Sequence, residues 1–133
     1  MAWSIVYYRA ADGSVPVDGF LDGCPKKIAA RIEAVLDAVA AAPPPSFSGG
    51  GMWEAMHGSM TGYFEVRVTG PGREHFRVFC LLDRDGPGLP GPAIVVLSGL
   101  RKAHMTTFSE ADYRAIRKLG DRYRASDPRT IAQ

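Results

Sequence analysis

The chain has 133 residues, of which 46% are hydrophobic and 23% charged, and its formal net charge at pH 7 is only +2. This size and composition favour a single globular domain over residues 1–133. No apolar run approaches the roughly 18 residues that a membrane span needs, and the N-terminus lacks the pattern of a signal peptide, so we expect a cytoplasmic protein without a membrane partner.

The first part of the chain predicts one strand followed by two helices. Residues 3–9 are rich in aromatic and β-branched side chains, which indicates a strand ending before the Asp12-Gly13 turn signal. Apolar residues at helical spacing over 17–24 predict a short helix, and those over 26–42 predict a longer amphipathic helix. Three prolines end this helix, so residues 43–51 are expected to form a flexible loop. The segment that follows has the weak pattern of a short edge strand.

Two strands with a short turn between them form the centre of the chain. Alternation in residues 63–68 and 75–83 puts Phe64, Val66 and Val68, and likewise Phe76, Val78 and Cys80, on one face of each strand. The turn over residues 70–74 is too short for a crossover helix, so the strands are expected to pair as an antiparallel hairpin. Charged side chains, including Arg67 and Arg77, then share the opposite face.

A third, apolar strand is predicted over residues 93–100, after a long turn rich in glycine and proline. It leads into a basic cluster made of Arg101, Lys102 and His104. Ser109 and Asp112 then have the form of a capping box, which predicts the start of a further helix. That helix is expected to end near Asp127-Pro128, with residues 126–133 as a disordered tail.

Basic side chains are concentrated at this end of the chain. Residues 99–133 carry eight basic and four acidic side chains, whereas residues 1–62 carry four basic and six acidic ones. A basic terminal segment suits contact with a polyanion, although a solvated helix face explains it equally well.

Cys24 and Cys80 lie within apolar patterns, and without an export signal they are predicted to be reduced thiols. The sequence has no Cys-x-x-Cys and no histidine pair at metal-ligand spacing, so we predict no metal site and no other cofactor. Together the elements predict an α/β (α+β) fold. It has a mostly antiparallel sheet of four to five strands, two N-terminal helices and one C-terminal helix.

The order of the motifs resembles the RelE/HigB superfamily of toxins, in particular its HigB-like, phage-derived branch. The resemblance rests on a Glu-x-Arg strand (Glu65, Arg67), an aromatic-Arg-Val-aromatic strand (residues 76–79), an apolar strand ending in Arg101-Lys102, and a capped helix. It covers residues 3–125. It implies a small RelE-like fold and the toxin of a type II toxin-antitoxin system.

This resemblance also implies an activity and a set of partners. Such toxins are metal-independent mRNA endoribonucleases that cut on the translating ribosome through attack by the 2′-hydroxyl, which blocks translation and arrests growth. The expected partners are therefore the ribosome, its mRNA and a cognate antitoxin, often of the helix-turn-helix type. Operator DNA is expected to be bound only by the toxin-antitoxin complex.

The resemblance and the required chemistry together suggest catalytic residues. RNA cleavage needs a base, cations at the phosphate and an acid for the leaving oxygen. Arg77 matches the family's arginine on the second central strand, Arg101 and Lys102 match its basic pair, and Arg67 would complete the cationic rim. The family's lysines on the preceding strand are replaced by Tyr63 and Glu65, so His104 is the expected substitute for the acid or base.

The remaining candidates concern binding. Tyr63 is a candidate for stacking on a base, and Glu65 is either a base or an ion-pair partner of an arginine. Candidates for contacting ribosomal RNA are the cations of the last helix, namely Arg114, Arg117, Lys118 and Arg122.

Two other functions are open on this scaffold. One is a non-enzymatic inhibitor that acts by binding gyrase, as the ParE toxins do, and the other is an inactive toxin that retains only antitoxin binding. The absence of the family's lysines makes both readings credible.

Overall fold

The computed structural model describes residues 2–42 and 51–133, and within them it contains three helices and six strands. In chain order these are β1 (Ser4–Tyr8), α1 (Pro16–Asp22), α2 (Lys26–Ala41), β2 (Trp53–Ala55), β3 (Phe64–Thr69), β4 (His75–Asp83), β5 (Ala93–Lys102), α3 (Glu110–Ala125) and β6 (Ile131–Ala132). No helix in these residues is both long enough and apolar enough to cross a membrane. The predicted flexible loop lies outside the described residues except for Gly51.

The strands form one sheet in the order β2-β3-β4-β5-β1-β6. Only β1 and β5 pair in parallel, and every other neighbouring pair is antiparallel. The predicted α+β class and the hairpin of β3 and β4 are therefore confirmed. The sheet has one strand more than expected because β6 pairs with β1, whereas β2 forms the short edge strand that the sequence predicted. Helix placement differs at the C-terminal end, since β6 follows the last helix, while β1 precedes the first two helices as predicted.

One face of the sheet packs against α1 and α2 and forms the larger core. The side chains predicted to share a face of the hairpin are all in this cluster, together with Ile32, Leu36 and Val39 of α2. Prolines at both helix starts help to define these helices, since Pro16 lies in the first turn of α1 and Pro25 directly precedes α2. Burial of the apolar stripe then fixes α2 on the sheet.

The opposite face is covered in part by α3. Its first turn carries the predicted capping box, in which the Ser109 hydroxyl accepts a hydrogen bond from the Asp112 N–H at 3.1 Å and the Asp112 carboxylate accepts one from the Ser109 N–H at 2.8 Å. Ile116 and Tyr123 of the helix are buried against Phe79 and neighbouring strand residues. The face predicted to carry charge is thus apolar beneath α3 and charged only beyond the start of the helix.

The C-terminal tail is ordered, and the prediction that residues 126–133 are disordered is wrong. Ile131–Ala132 pairs antiparallel with β1. Arg129 donates to an Asp83 carboxylate oxygen at 3.1 Å and to the carbonyl oxygens of Arg124 and Ser126. Because the sequence shows no apolar pattern here, this anchoring by a single arginine could not be read from periodicity.

Both cysteines are free thiols, as predicted. Cys80 is fully buried under the helices, and burial raises the pKa of its thiol far above the ordinary value. Cys24 is partly buried, and its thiol donates to the carbonyl oxygen of Phe20. Both therefore have a packing role.

Candidate functional site

A cleft of about 270 Å³ opens on the α3 side of the sheet, where the helix begins. Its walls come from β3, β4, the β5–α3 loop (residues 103–109) and the first turn of α3. The lining residues are Glu65, Arg67, His75, Arg77, Thr106, Thr107, Phe108 and Tyr113. The alternation of the two strands brings the four charged or titratable strand residues to this face, because each lies two positions from the next on its own strand.

Arg77 lies at the centre of the cleft floor and is 8% exposed. Its Nη1 donates to the carbonyl oxygens of Phe76 at 3.0 Å and Val68 at 3.4 Å, and Nη2 lies 3.5 Å from Nδ1 of His75. Burial lowers the pKa of Arg77, and nearby Arg67 lowers it further. An arginine nevertheless stays cationic at neutral pH. The guanidinium is thus fixed in orientation, and within the described part of the chain it forms no salt bridge with a carboxylate.

Glu65 and Arg67 lie on the same face of β3. Burial raises the pKa of Glu65, although Arg77 and Arg67 act in the opposite direction. Arg67 Nε is 3.7 Å from a Glu65 oxygen, and Arg67 Nη1 contacts Glu54 of β2 at 2.9 Å. Glu65 therefore takes the predicted ion-pair role with Arg67. Its raised pKa is also what a general base working near neutral pH requires.

Tyr113 is one of the cleft residues that the sequence analysis did not name as candidates; the others are His75, Thr106, Thr107 and Phe108. Burial raises the pKa of its phenol, and the negative charge of Glu65 adds to this effect. The ring makes edge-to-face contact with Phe79 at 6.2 Å between centroids, and Phe108 makes the same type of contact with Phe79. The sequence did contain a signal for Tyr113. It lies three residues before Ile116, and this spacing extends the apolar stripe of α3 into the first turn of the helix.

Lys102 and His104 lie beside the cleft, at the end where His75 stands. Lys102 is directly opposite His75 in the β4–β5 register, and its Nζ is 3.5 Å from Asp112. The His104 ring centroid is 6.3 Å from that of His75. These two candidates are therefore close to Arg77, and His75 enters the site with them.

Arg101 is not part of this group. It is opposite Phe76 in the register, so its side chain extends from the face that carries α1 and α2. There it makes two hydrogen bonds with Glu74 at 2.7 and 2.9 Å, donates to the Gly23 carbonyl oxygen at 3.0 Å and lies 4.7 Å from the Phe76 ring centroid. The structure does not bring Arg101 together with the cleft residues, because β5 continues as a strand through Lys102 and separates the two basic residues by face.

Tyr63 is also misplaced by the sequence analysis. It is 7% exposed and packs beneath α3, where a Cβ at Gly120 would overlap its hydroxyl. Its hydroxyl lies 3.5 Å from the carbonyl oxygen of Arg117. A side chain buried between sheet and helix cannot stack on a base, so the predicted role of Tyr63 does not fit this structure.

The cations predicted to contact RNA are on α3. Arg114, Lys118 and Arg122 are exposed, whereas Arg117 is partly buried and contacts Glu110 at 2.7 Å. Three of the four are thus available to a polyanion. Arg117 is held by its carboxylate partner.

The described residues contain no cluster of three His, Cys, Asp or Glu side chains suited to hold a metal ion. In comparisons with known proteins, the sequence matches no family model and no curated protein. The function is therefore inferred from the side chains of the cleft. They offer a fixed cation, a carboxylate with a raised pKa, an imidazole and a phenol around one small space, with the second imidazole, that of His104, beside it.

Proposed function

We propose that this protein is the toxin of a type II toxin-antitoxin system and that it cleaves mRNA on the translating ribosome. The single observation that carries the proposal is the meeting of Arg77, Glu65 and Tyr113 in one cleft. The choice of mRNA as substrate and of the ribosome as partner rests on the resemblance to RelE/HigB toxins. The cleft contains side chains that are able to perform the cleavage.

Arg77 suits the scissile phosphate because its guanidinium is oriented by two backbone carbonyls before any substrate arrives. A preorganised donor stabilises the charge that builds up on the phosphate oxygens without reorganisation during the reaction. Arg67 is more exposed and adds a second cation when it is released from Glu54.

Glu65 is assigned as the base that takes the proton of the 2′-hydroxyl. Its raised pKa makes the carboxylate more basic than an ordinary glutamate, and the neighbouring arginines favour its ionised form. The acid that protonates the leaving 5′-oxygen is assigned to one of three residues. His75 and His104 lie beyond Arg77 as seen from Glu65, whereas Tyr113 stands at the Glu65 end of the cleft, against Phe79.

Contact with the ribosome is assigned to the exposed cations of α3. The helix begins at the cleft and carries Arg114, Lys118 and Arg122 on its solvent-facing surface. Phosphate contacts of this kind release counterions, so binding should weaken as the salt concentration rises. The expected antitoxin and operator partners rest on the resemblance.

The decisive experiment adds purified protein to a translation reaction and maps the 5′ ends of the mRNA. The wild type is compared with Arg77→Ala and with Arg77→Lys, which keeps the charge but loses the planar fork. We expect ribosome-dependent cuts from the wild type alone and none in a ribosome-free control. Intact mRNA with a protein that still arrests growth would contradict the nuclease function.

A second candidate is a non-enzymatic inhibitor of the ParE kind, which acts by binding gyrase. The internal pairing of the cleft arginines favours it, since Arg67 is held by Glu54 and Arg77 is largely buried. A DNA supercoiling assay separates the two: inhibition of gyrase without mRNA cleavage selects the inhibitor.

A further inference from the structure

On the aromatic side of the cleft, Phe108 has no role in the assigned chemistry, and Tyr113 is one of three candidates for the acid. Phe108 of the β5–α3 loop and Tyr113 of α3 both line the cleft, and their ring centroids are 6.4 Å apart. Both rings rest edge-to-face against Phe79, which is fully buried. Two partly exposed rings are thus held in place by a third ring from the core.

This aromatic pair faces the same space as the cationic strands. Arg67 and Arg77, on β3 and β4, line the same cleft. Cationic and aromatic side chains around one cleft of about 270 Å³ match a molecule with a phosphate at one end and a flat ring at the other. A nucleotide of a single strand has this form, because its base is free to leave the stack.

We propose that Phe108 and Tyr113 form a nucleobase-stacking subsite for single-stranded RNA, adjacent to the phosphate position at Arg77. The inference deepens the proposed function and rests on it for the choice of RNA. It gives the base-contact role to this aromatic pair in place of the buried Tyr63.

Fluorescence anisotropy with a labelled hexamer of uridine tests the subsite, and the same hexamer lacking all bases is the matched probe. Wild-type protein should bind the uridine hexamer about 5- to 150-fold more tightly than the abasic one, as expected for stacking of one base. Phe108→Leu should bring this ratio close to one while leaving the affinity for the abasic hexamer unchanged. Phe108→Trp should preserve the ratio.

Two controls separate loss of stacking from loss of structure. Met105→Ala removes an apolar side chain of the same loop that is 84% exposed and outside the cleft, so it should leave the ratio unchanged. Arg77→Ala should weaken binding of both hexamers to a similar extent. Thermal unfolding of each variant checks that the fold persists.

Equal affinity of the wild type for both hexamers, no measurable binding of either, or a ratio unaffected by Phe108→Leu would each overturn the subsite. The outcomes also distinguish it from the proposed function. Base-dependent binding lost in Phe108→Leu, without mRNA cleavage on ribosomes, would keep the subsite and remove the nuclease. Ribosome-dependent cleavage without base-dependent binding would keep the nuclease and remove the subsite.

Discussion

Arg77 and Arg101 lie on neighbouring antiparallel strands but extend from opposite faces of the sheet. Arg77 is opposite Leu100 in the register, and Arg101 is opposite Phe76. Each arginine therefore belongs to a different surface, the first to the cleft beside α3 and the second to the ion pair with Glu74. This relationship gives a matched pair of variants with similar chemistry and opposite expected effects.

For mRNA cleavage, Arg77→Lys should lower the single-turnover rate on programmed ribosomes by about 10²- to 10³-fold, as for loss of one preorganised donor. Arg101→Gln should change the rate by only a few fold, because the residue does not reach the cleft. Cleavage is followed by primer extension on the same mRNA. Equal losses in the two variants would show that position in the cleft is irrelevant.

Glu65→Gln tests the assignment of the base through the pH dependence of the rate. A base acts as its carboxylate, so wild-type activity should fall as pH drops through the raised pKa of Glu65. The glutamine variant should be slow at every pH and lack this acidic limb. Single-turnover rates from about pH 5 to about pH 8 provide the comparison. If the rate of Glu65→Gln still falls at acidic pH as in the wild type, the titration belongs to another group.

Asp83→Asn should reduce stability at neutral pH, because the carboxylate anchors both Tyr123 and Arg129. Burial raises the pKa of Asp83, but the hydrogen bonds from Tyr123 and Arg129 together hold it below its ordinary value. A depressed carboxylate pKa contributes stability above the unfolded pKa of about 3.9, and this stability is lost as pH falls through the folded value.

The expected loss for Asp83→Asn at pH 7 is about 1–3 kcal/mol in the free energy of unfolding. The difference from wild type should shrink as pH falls below about 4, because the carboxylate of the unfolded state is then protonated before that of the folded state. Urea unfolding at both pH values measures it. A difference independent of pH would assign the loss to packing alone.

Gly120→Ala tests the burial of Tyr63 beneath α3. The added Cβ would overlap the Tyr63 hydroxyl, which costs about 1–3 kcal/mol and exceeds or offsets the gain of about 1 kcal/mol from helix propensity. In a Tyr63→Leu background the same change should become stabilising, because the ring is gone. Urea unfolding of the four proteins gives the coupling energy, and additive effects would rule out the contact.

On α3, Arg114→Ala and Lys118→Ala should each weaken ribosome binding and reduce the slope of log affinity against log salt by about 1. Arg117→Ala should have a smaller effect, since Glu110 already neutralises this side chain. Sedimentation with ribosomes from about 50 to about 200 mM salt measures the slope. Identical slopes for all three variants would place the ribosome contact elsewhere.

Local patterns in the sequence were sufficient to predict the hairpin, the two core helices and the capped helix. Phe64, Val66 and Val68 alternate cleanly, and Ser109 with Asp112 forms a motif that is complete within four residues. Each of these features depends on near neighbours in sequence. The alternation of side chains along β3 and β4 also predicted correctly that Arg67 and Arg77 share one face of the sheet.

The errors concern features that depend on distant parts of the chain. Whether Tyr63 is exposed depends on a helix that covers it only because Gly120 lacks a side chain. Whether Arg101 and Lys102 act together depends on where β5 ends, and the strand is extended by pairing with His75 and Phe76. The order of the tail depends on Arg129 reaching Asp83.

The parallel pairing of β1 with β5 has a consequence for folding during synthesis. It joins a strand that begins at Ser4 to one that begins at Ala93, so β1 leaves the ribosome long before its central neighbour is made. Such non-local pairing closes late in folding. Phe108 and Tyr113, which line the cleft, are synthesised after β5. The cleft therefore cannot form until Tyr113 of α3 has been synthesised.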